Sequence, residues 1–326
     1  MRSKDERGCE DINSGQCTGG HNWRARPVIG EEDQRVRSGT IKPWLFIMPA
    51  LLIYLVIIFF PSMYTFYLSF FKWNGVAPDK TFVGLGNYLD LLFRDTVFLK
   101  ALWNNVLWTI GSLTIILGFG LMLALLLNKK LKGRIVFRGI FYFPYVLSGV
   151  IVATIWTWMY NPSQGFFNKL LELVGLEHLT SAWLADPKIA LYAVFVAAIW
   201  NGVGQPLVLF LAGLQTIPQD PYEAAIIDGA KPYQMFWNIT LPLLRETFII
   251  VVAITMVSSM KVYDIVYAMT GGGPAESTHV LASWMYFQTF KFANIGAGSA
   301  ISMFLVFITM IVIIPYVYYT TKRSHV

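Results

Sequence analysis

Six long apolar segments alternate with polar stretches along this chain, at roughly 44–71, 105–127, 135–160, 189–214, 247–268 and 296–318. Each reaches or exceeds the roughly 20 residues that a helix needs to cross a bilayer. The pattern predicts an all-α polytopic membrane protein with six transmembrane helices. The first segment is longer than one crossing requires, so Pro61 is expected to mark a kink or the start of an exit segment. Pro144 lies near the start of the third. Trp44 and Trp73 sit where interfacial aromatic residues belong. Residues 74–103 mix Gly, Pro and charge with apolar positions. Within them 87–92 and 98–103 read as short amphipathic helices on the membrane surface. Residues 1–40 are polar and mixed in charge, and read as a disordered tail. The chain thus divides into a tail at 1–40, a first span with its surface segment at 41–103, and a five-helix core at 104–326. The core is interrupted by a hydrophilic loop at 215–246.

Composition agrees with the pattern. Of 326 residues, 56% are hydrophobic, 16% aromatic and only 13% charged, against the roughly 25% charged of a soluble domain. Where the charge lies says more than the net +6. Residues 128–138 hold Lys129, Lys130, Lys132, Arg134 and Arg138 with no acid, and the C-terminus adds Lys322 and Arg323. The longer stretch 161–188 holds only Lys169 and Lys188, and the loop between the last two segments only Lys291. Six spans put both termini on one side, and the Lys/Arg excess makes that side cytoplasmic, together with the loop at 215–246. The two cysteines, Cys9 and Cys17, lie in the tail, where a cytoplasmic location keeps them reduced. With His21 they match no zinc spacing, so no metal site is expected. The first forty residues contain no apolar run of the kind a secretory signal needs.

One hydrophilic stretch, Glu223 to Pro242, carries its own helix punctuation. Asp220 is placed to cap a helix, Pro221 suits its first position, and Glu223 falls in capping-box register. Gly229 ends that helix and Pro232 opens a second. The run is Glu223-Ala224-Ala225, three residues, Gly229, nine residues, Ile239, one residue, Leu241-Pro242. This resembles the EAA loop of binding-protein-dependent ABC importer permeases at all seven fixed positions. A simple cap does not require the distant Ile-x-Leu-Pro. Weaker likenesses extend from Trp44 to the end: Phe82-Val83-Gly84-Leu85-Gly86-Asn87-Tyr88, Phe141-Tyr142-Phe143-Pro144, and Trp183-Leu184-Ala185-Asp186-Pro187. Thr270-Gly271-Gly272-Gly273-Pro274, with Thr278 and Leu281 after it, is similar to the carbohydrate-uptake branch, the permeases for maltose, multiple sugars, lactose and glycerol-3-phosphate.

The resemblance implies a type I ABC importer permease fold in the prokaryotic inner membrane. It also implies a second homologous permease subunit as heterodimer partner, an ATPase dimer and an extracytoplasmic sugar-binding protein. ATPase coupling would fall to Glu223, Ala224, Ala225, Asp228, Gly229, Ile239, Leu241 and Pro242. ATP and Mg would be bound by the partner ATPase. The chain itself has no Walker-type phosphate loop, no metal-binding helix and no nucleophile elbow, and is read as a transport subunit rather than an enzyme.

Transport needs polar groups inside the bilayer. Asn201 and Gln205, at i,i+4 beside Gly202, Gly204 and Pro206, share a face of the fourth segment. The fifth carries Thr255, Ser258, Ser259, Lys261, Tyr263 and Asp264. Asn201, Gln205, Ser258, Lys261 and Asp264 are the candidate substrate path, with Lys261 and Asp264 expected to pair at i,i+3. Two alternatives stand beside a sugar permease. One is a permease for a non-sugar solute such as glycerol-3-phosphate, which would want more cations than Lys261. The other is an ion-coupled secondary transporter, which would want more buried acids than Asp264. The chain shows no nucleic-acid signature; its expected surroundings are the lipid bilayer and a sugar substrate.

Overall fold

The computed structural model describes residues 41–129 and 131–322. The readings made for the tail, for Lys130 and for Arg323 lie outside these residues. The chain forms two units, divided between Phe59 and Phe60. The described part of the first is the helix Ile41–Tyr54, continued by a wide turn at Leu55–Phe59, and nearly every side chain on it is exposed. An apolar helix exposed all round is suited to lipid rather than water.

The second unit begins with the helix Phe60–Leu68. Pro61 stands near its start and the chain stays helical to Leu68, so no exit segment begins at Pro61; Trp44–Leu68 is one candidate span of 25 residues. The wide turn just before Pro61 fits a ladder locally lacking one N–H donor. A two-residue antiparallel ladder follows, Phe71 opposite Phe82 and Lys72 opposite Thr81, a small exception to the all-α expectation. The surface helix expected near 87–92 is present as Gly86–Phe93.

Residues 98–103 correct the sequence reading. They form no separate surface helix but belong to Thr96–Asn128, a candidate span of 33 residues. Asp95 starts it, its carboxylate accepting the Phe98 N–H at 2.8 Å. Asn104 and Asn105, where the second segment was expected to begin, are buried. Asn104 Nδ2 donates to the Ser277 and His279 carbonyls, each at 2.8 Å, and Asn105 Oδ1 accepts the Leu281 N–H at 3.1 Å. Both asparagines thus pin the loop after Gly271-Gly272-Gly273-Pro274, where Thr278 Oγ1 also donates to the Gly273 carbonyl.

The third span is likewise not one rod. Helices Arg134–Val146 and Gly149–Met159 meet at 100°. Leu147 and Ser148 are extended, and Ser148 Oγ accepts the Ile151 N–H as the cap of the second helix. Pro144 therefore lies near the end of the first helix rather than at the start of a long one. Spans Ala190–Thr216, Arg245–Thr270 and Ile295–Thr320 complete the set, five long apolar helices and one bent pair among the described residues.

Packing uses small residues, as expected where lipid removes most of the hydrophobic drive. Ala124, Val152, Ala153, Val194, Ala197, Leu207 and Phe210 are buried between neighbouring helices. A Cβ added at Gly120 would stand 2.6 Å from Pro206 Cβ, so only glycine lets the second and fourth spans approach this closely. The helix Ile295–Lys322 packs along Phe60–Leu68 and along the cluster of Phe98, Ala101, Leu281 and Trp284.

Candidate functional site

Two places deserve the name of site: the helix pair at 220–243 and a polar cavity between the spans. In the first, the structure moves the cap by one residue. Helix Asp220–Ile227 is entered from Gln219, whose carbonyl accepts the Tyr222 and Glu223 N–H groups, and no side chain caps it. Asp220 is the first helical residue and Pro221 the second, so the expected Asp220–Glu223 capping box is absent. The reason lies in the backbone: Gln219 is already helical in φ and ψ, so the turn closes one residue early. Asp220 and Glu223 still lie in the first turn, where the helix dipole favours negative charge.

Gly229 ends the helix as the spacing predicts. Its φ is +75°, and the Ala230 N–H reaches the Ala225 carbonyl while the Gly229 N–H reaches that of Ile226. That pair of bonds is the Schellman closure, which favours glycine at this position. Pro232 then opens the second helix, with Gln234 Oε1 accepting the Lys231 N–H at 2.7 Å. A wide turn at Phe236–Thr240 leads into Leu241–Leu243, with Pro242 inside it and Leu244 buried below.

The apolar side chains of this pair separate into two faces. Tyr222 and Phe248 pack against the cluster of Leu214, Ile217 and Leu244, and Thr240 is buried. Ile226, Ile227, Tyr233 and Trp237 point away from the bundle; Ile227 is 86% exposed and Trp237 62%. Glu223, Ala224, Asp228, Gly229 and Pro242 share this exposure, while Ala225, Ile239 and Leu241 are half-buried. Apolar residues exposed on a hydrophilic link between spans mark an interaction surface.

The second site is a cavity of about 250 Å³. Asn201 and Gln205, from one face of the fourth span, line it together with Ser258 of the fifth. Asn201 Nδ2 donates to the Pro144 carbonyl at 2.6 Å, tying the fourth span to the end of the broken helix. Ser112, Tyr145 and Thr255 add hydroxyls, and Trp108 an aromatic wall. Ser112 and Tyr145 were not singled out by sequence. Each sits inside an apolar or aromatic run, and only the packing turns it inward. Ser259 also reaches the wall, but its Oγ is engaged with Thr109 Oγ1 at 3.1 Å and the Met256 carbonyl at 2.8 Å.

Lys261 and Asp264 are not among the cavity-lining residues, and the expected ion pair between them is absent. The physical cause is a break. Helix Arg245–Met260 ends at Lys261, Tyr263 adopts φ −146° and ψ −59°, and a new helix begins at Asp264. The i,i+3 register that would bring the two charges together does not exist across that break. Both side chains are exposed. The cavity itself therefore offers neutral amide, hydroxyl and aromatic groups and no ionised side chain.

Comparison with known proteins adds independent findings. Residues 116–323 match the family model described as binding-protein-dependent transport system inner membrane component. A probable ABC transporter permease of Pyrococcus horikoshii is 39% identical over 278 residues, covering 85% of this chain and 95% of its own length. The trehalose/maltose transport system permease of Thermococcus litoralis is 39% identical over 260 residues, covering 80% and 87%. Among solved structures, a chain of a bacterial ABC transporter that imports the acidic polysaccharide alginate superposes with a TM-score of 0.77 at 23% identity. That match covers 88% of this chain and 99% of the other, and shows the shared fold.

Proposed function

Because this chain belongs to the family of binding-protein-dependent transport system inner membrane components, we propose that it forms half of the translocation path of an ATP-driven sugar importer. The observation that carries the reading is the helix pair with its outward apolar face of Ile226, Ile227, Tyr233 and Trp237. A separate ATPase dimer is the occupant, with Glu223, Ala224, Ala225, Asp228, Gly229, Ile239, Leu241 and Pro242 forming or shaping the contact. ATP-driven closure of the ATPase dimer moves this pair, and the motion passes through buried Leu244 into the fifth span. The cavity then faces outward to receive solute from an extracytoplasmic binding protein. Both termini and the loop at 215–246 lie on the cytoplasmic side of a prokaryotic inner membrane.

A sugar suits the cavity chemically. Asn201, Gln205, Ser112 and Ser258 offer donors and acceptors for hydroxyl groups, and Trp108 offers an apolar ring. No cation lines it, which argues against a phosphate ester. The relative named for trehalose and maltose points the same way. A volume of 250 Å³ is below the roughly 300–1,000 Å³ of complete small-molecule sites. It fits a half-site completed by a second permease subunit.

The test is purification through a tag on this chain, followed by reconstitution into liposomes with ATP inside and the binding protein with labelled maltose or trehalose outside. Uptake that needs ATP and the binding protein supports the reading. Purification without an ATPase, or uptake that follows an ion gradient and ignores ATP, overturns it in favour of a secondary transporter. ATP-driven uptake of glycerol-3-phosphate but no sugar would overturn the sugar assignment alone.

A further inference from the structure

The turn between the second and third spans combines two features that no part of the transport mechanism uses. The first is charge. Lys129, Lys132, Arg134 and Arg138 lie within ten residues, and no Asp or Glu occurs anywhere between Asp95 and Glu172. Among the described residues, ion pairs join Arg94 to Asp90 and Lys169 to Glu172, and none reaches these four. Arg138 Nη2 donates to the Leu127 carbonyl at 3.0 Å, which fixes its guanidinium at the end of the second span, while its buried Nε has no acceptor. The helix end beneath it supplies only about half a negative charge. Four cations therefore remain largely uncompensated.

The second feature is the helix that leaves this turn, Arg134–Val146. Its Phe141 and Tyr142 backbone lies against Gly204 of the fourth span, and Tyr145 lines the cavity. Its other side carries Ile135, Val136, Ile140, Phe143 and Val146, all exposed, with Ile135 at 78%. Thirteen residues at about 1.5 Å each give a strip about 20 Å long, comparable with the roughly 15 Å depth of one leaflet's hydrocarbon. A cationic end joined to an apolar strip of leaflet length is the complement of one kind of molecule, an anionic phospholipid.

We propose that the Lys129–Arg138 turn holds the headgroup phosphate of an anionic phospholipid, whose acyl chains lie along the exposed strip from Ile135 to Val146. Lys132 and Arg134, both exposed, supply mobile cations, and Arg138 is the fixed one. A headgroup held there sits at the start of the helix Arg134–Val146, whose far end Asn201 binds at Pro144. Anionic lipid would then steady one wall of the cavity.

The experiment uses the full chain in its assembled complex, extracted and passed into vesicles of phosphatidylcholine with or without phosphatidylglycerol. Lipid retained after delipidation is measured by native mass spectrometry. Wild type should retain phosphatidylglycerol in preference to phosphatidylcholine. The triple variant K129Q/K132Q/R134Q, which leaves Arg138 clamped, should lose that preference about tenfold or more, since each cation near an anionic surface contributes roughly fivefold. The charge-conserving variant K129R/K132R/R134K should keep it, which separates lost charge from lost folding. Equal retention by wild type and the glutamine variant overturns the proposal. So does displacement of the lipid by inorganic phosphate, which would make this a general anion site. Cross-linking of a cysteine at Ile140 to another permease subunit would also overturn it, by giving the strip a protein occupant.

Discussion

The Tyr222 hydroxyl stands 2.9 Å from Thr240 Oγ1, joining the two helices of the pair at 220–243 across 18 residues of chain. Neither residue is a fixed position of the Glu-Ala-Ala, Gly, Ile-x-Leu-Pro pattern, yet each lies beside one: Tyr222 before Glu223, Thr240 between Ile239 and Leu241. Thr240 is buried and also reaches the Met235 carbonyl at 3.3 Å. The bond ties together two short helices joined through Gly229, and we expect the pair to move as one lever. Tyr222→Phe removes only the hydroxyl and should cost about 1 kcal/mol of local stability. We expect ATP hydrolysis to continue while transport per ATP falls. Unchanged transport per ATP in liposomes would show that the bond transmits nothing.

Gly229 tests the same lever from its turn. No atom lies within 4 Å of a Cβ built there, so the cost of a side chain comes from φ +75° alone. An L-residue in that region costs roughly 1–2 kcal/mol, and Asn tolerates it better than Ala. ATPase association, measured by co-purification, should therefore fall in the order Gly, Asn, Ala. Gly229→Asp should fall below Gly229→Asn, because it adds charge to the contact at nearly equal shape. An alanine variant equal to wild type would remove the backbone argument.

Much of this architecture was legible in the chain. Hydropathy located the spans because a bilayer demands long apolar runs. Gly229 and Pro232 were readable because turn chemistry is local. The errors occurred where two or three residues break a helix without breaking hydropathy. Leu147 and Ser148 turn the third span through 100°, and Lys261 to Tyr263 interrupt the fifth, yet both sit in windows that average as apolar. The start of the second span at about 105 fell short because Asn104 and Asn105 are polar, and their backbone partners in the loop at 277–281 lie more than 170 residues away. For the cavity, helical spacing placed Asn201 and Gln205 together; the Ser112 and Tyr145 walls required the packing itself.

Asn201 and Gln205 should separate experimentally although they share a face. Asn201 donates to the Pro144 carbonyl, which the Leu147 N–H also reaches at 3.2 Å, so Asn201→Ala removes one of two bonds to that acceptor and should cost about 0.5–1.5 kcal/mol. Its complex should melt earlier and transport less. Gln205→Ala should leave the melting temperature within error and raise the KM for uptake severalfold. Equal loss of stability in both variants would mean that Gln205 has a structural partner rather than a solute.

Lys261 and Asp264 are exposed on either side of the helix break and form no ion pair. Their substitutions should therefore act independently. In a double-mutant cycle on uptake, Lys261→Gln and Asp264→Asn should add within about 0.5 kcal/mol. A larger coupling would show that the two charges meet in another state of the transport cycle.

His279 gives the loop between the last two spans a pH dependence with a definite sign. It is 2% exposed, outside the spans, with Nδ1 3.0 Å from Ser283 Oγ and its ring against Trp284 and Phe287 at 5.1 and 4.7 Å. None of these neighbours carries charge, and burial lowers the pKa from 6.5 to about 4. The native imidazole thus stays neutral through a range in which the unfolded one takes up a proton. Between pH 6.5 and 4 the unfolded chain binds more protons than the native, so stability falls as pH is lowered through that window. Above 6.5 this residue adds no slope. The purified complex should therefore lose melting temperature on acidification from pH 7 to pH 4.5, and His279→Gln, which cannot titrate, should flatten that limb. Its absolute stability at pH 7 will shift as well, so the comparison rests on the slope. Parallel curves for wild type and His279→Gln would mean that other groups set the acid limb and that His279 is neutral for reasons of packing alone.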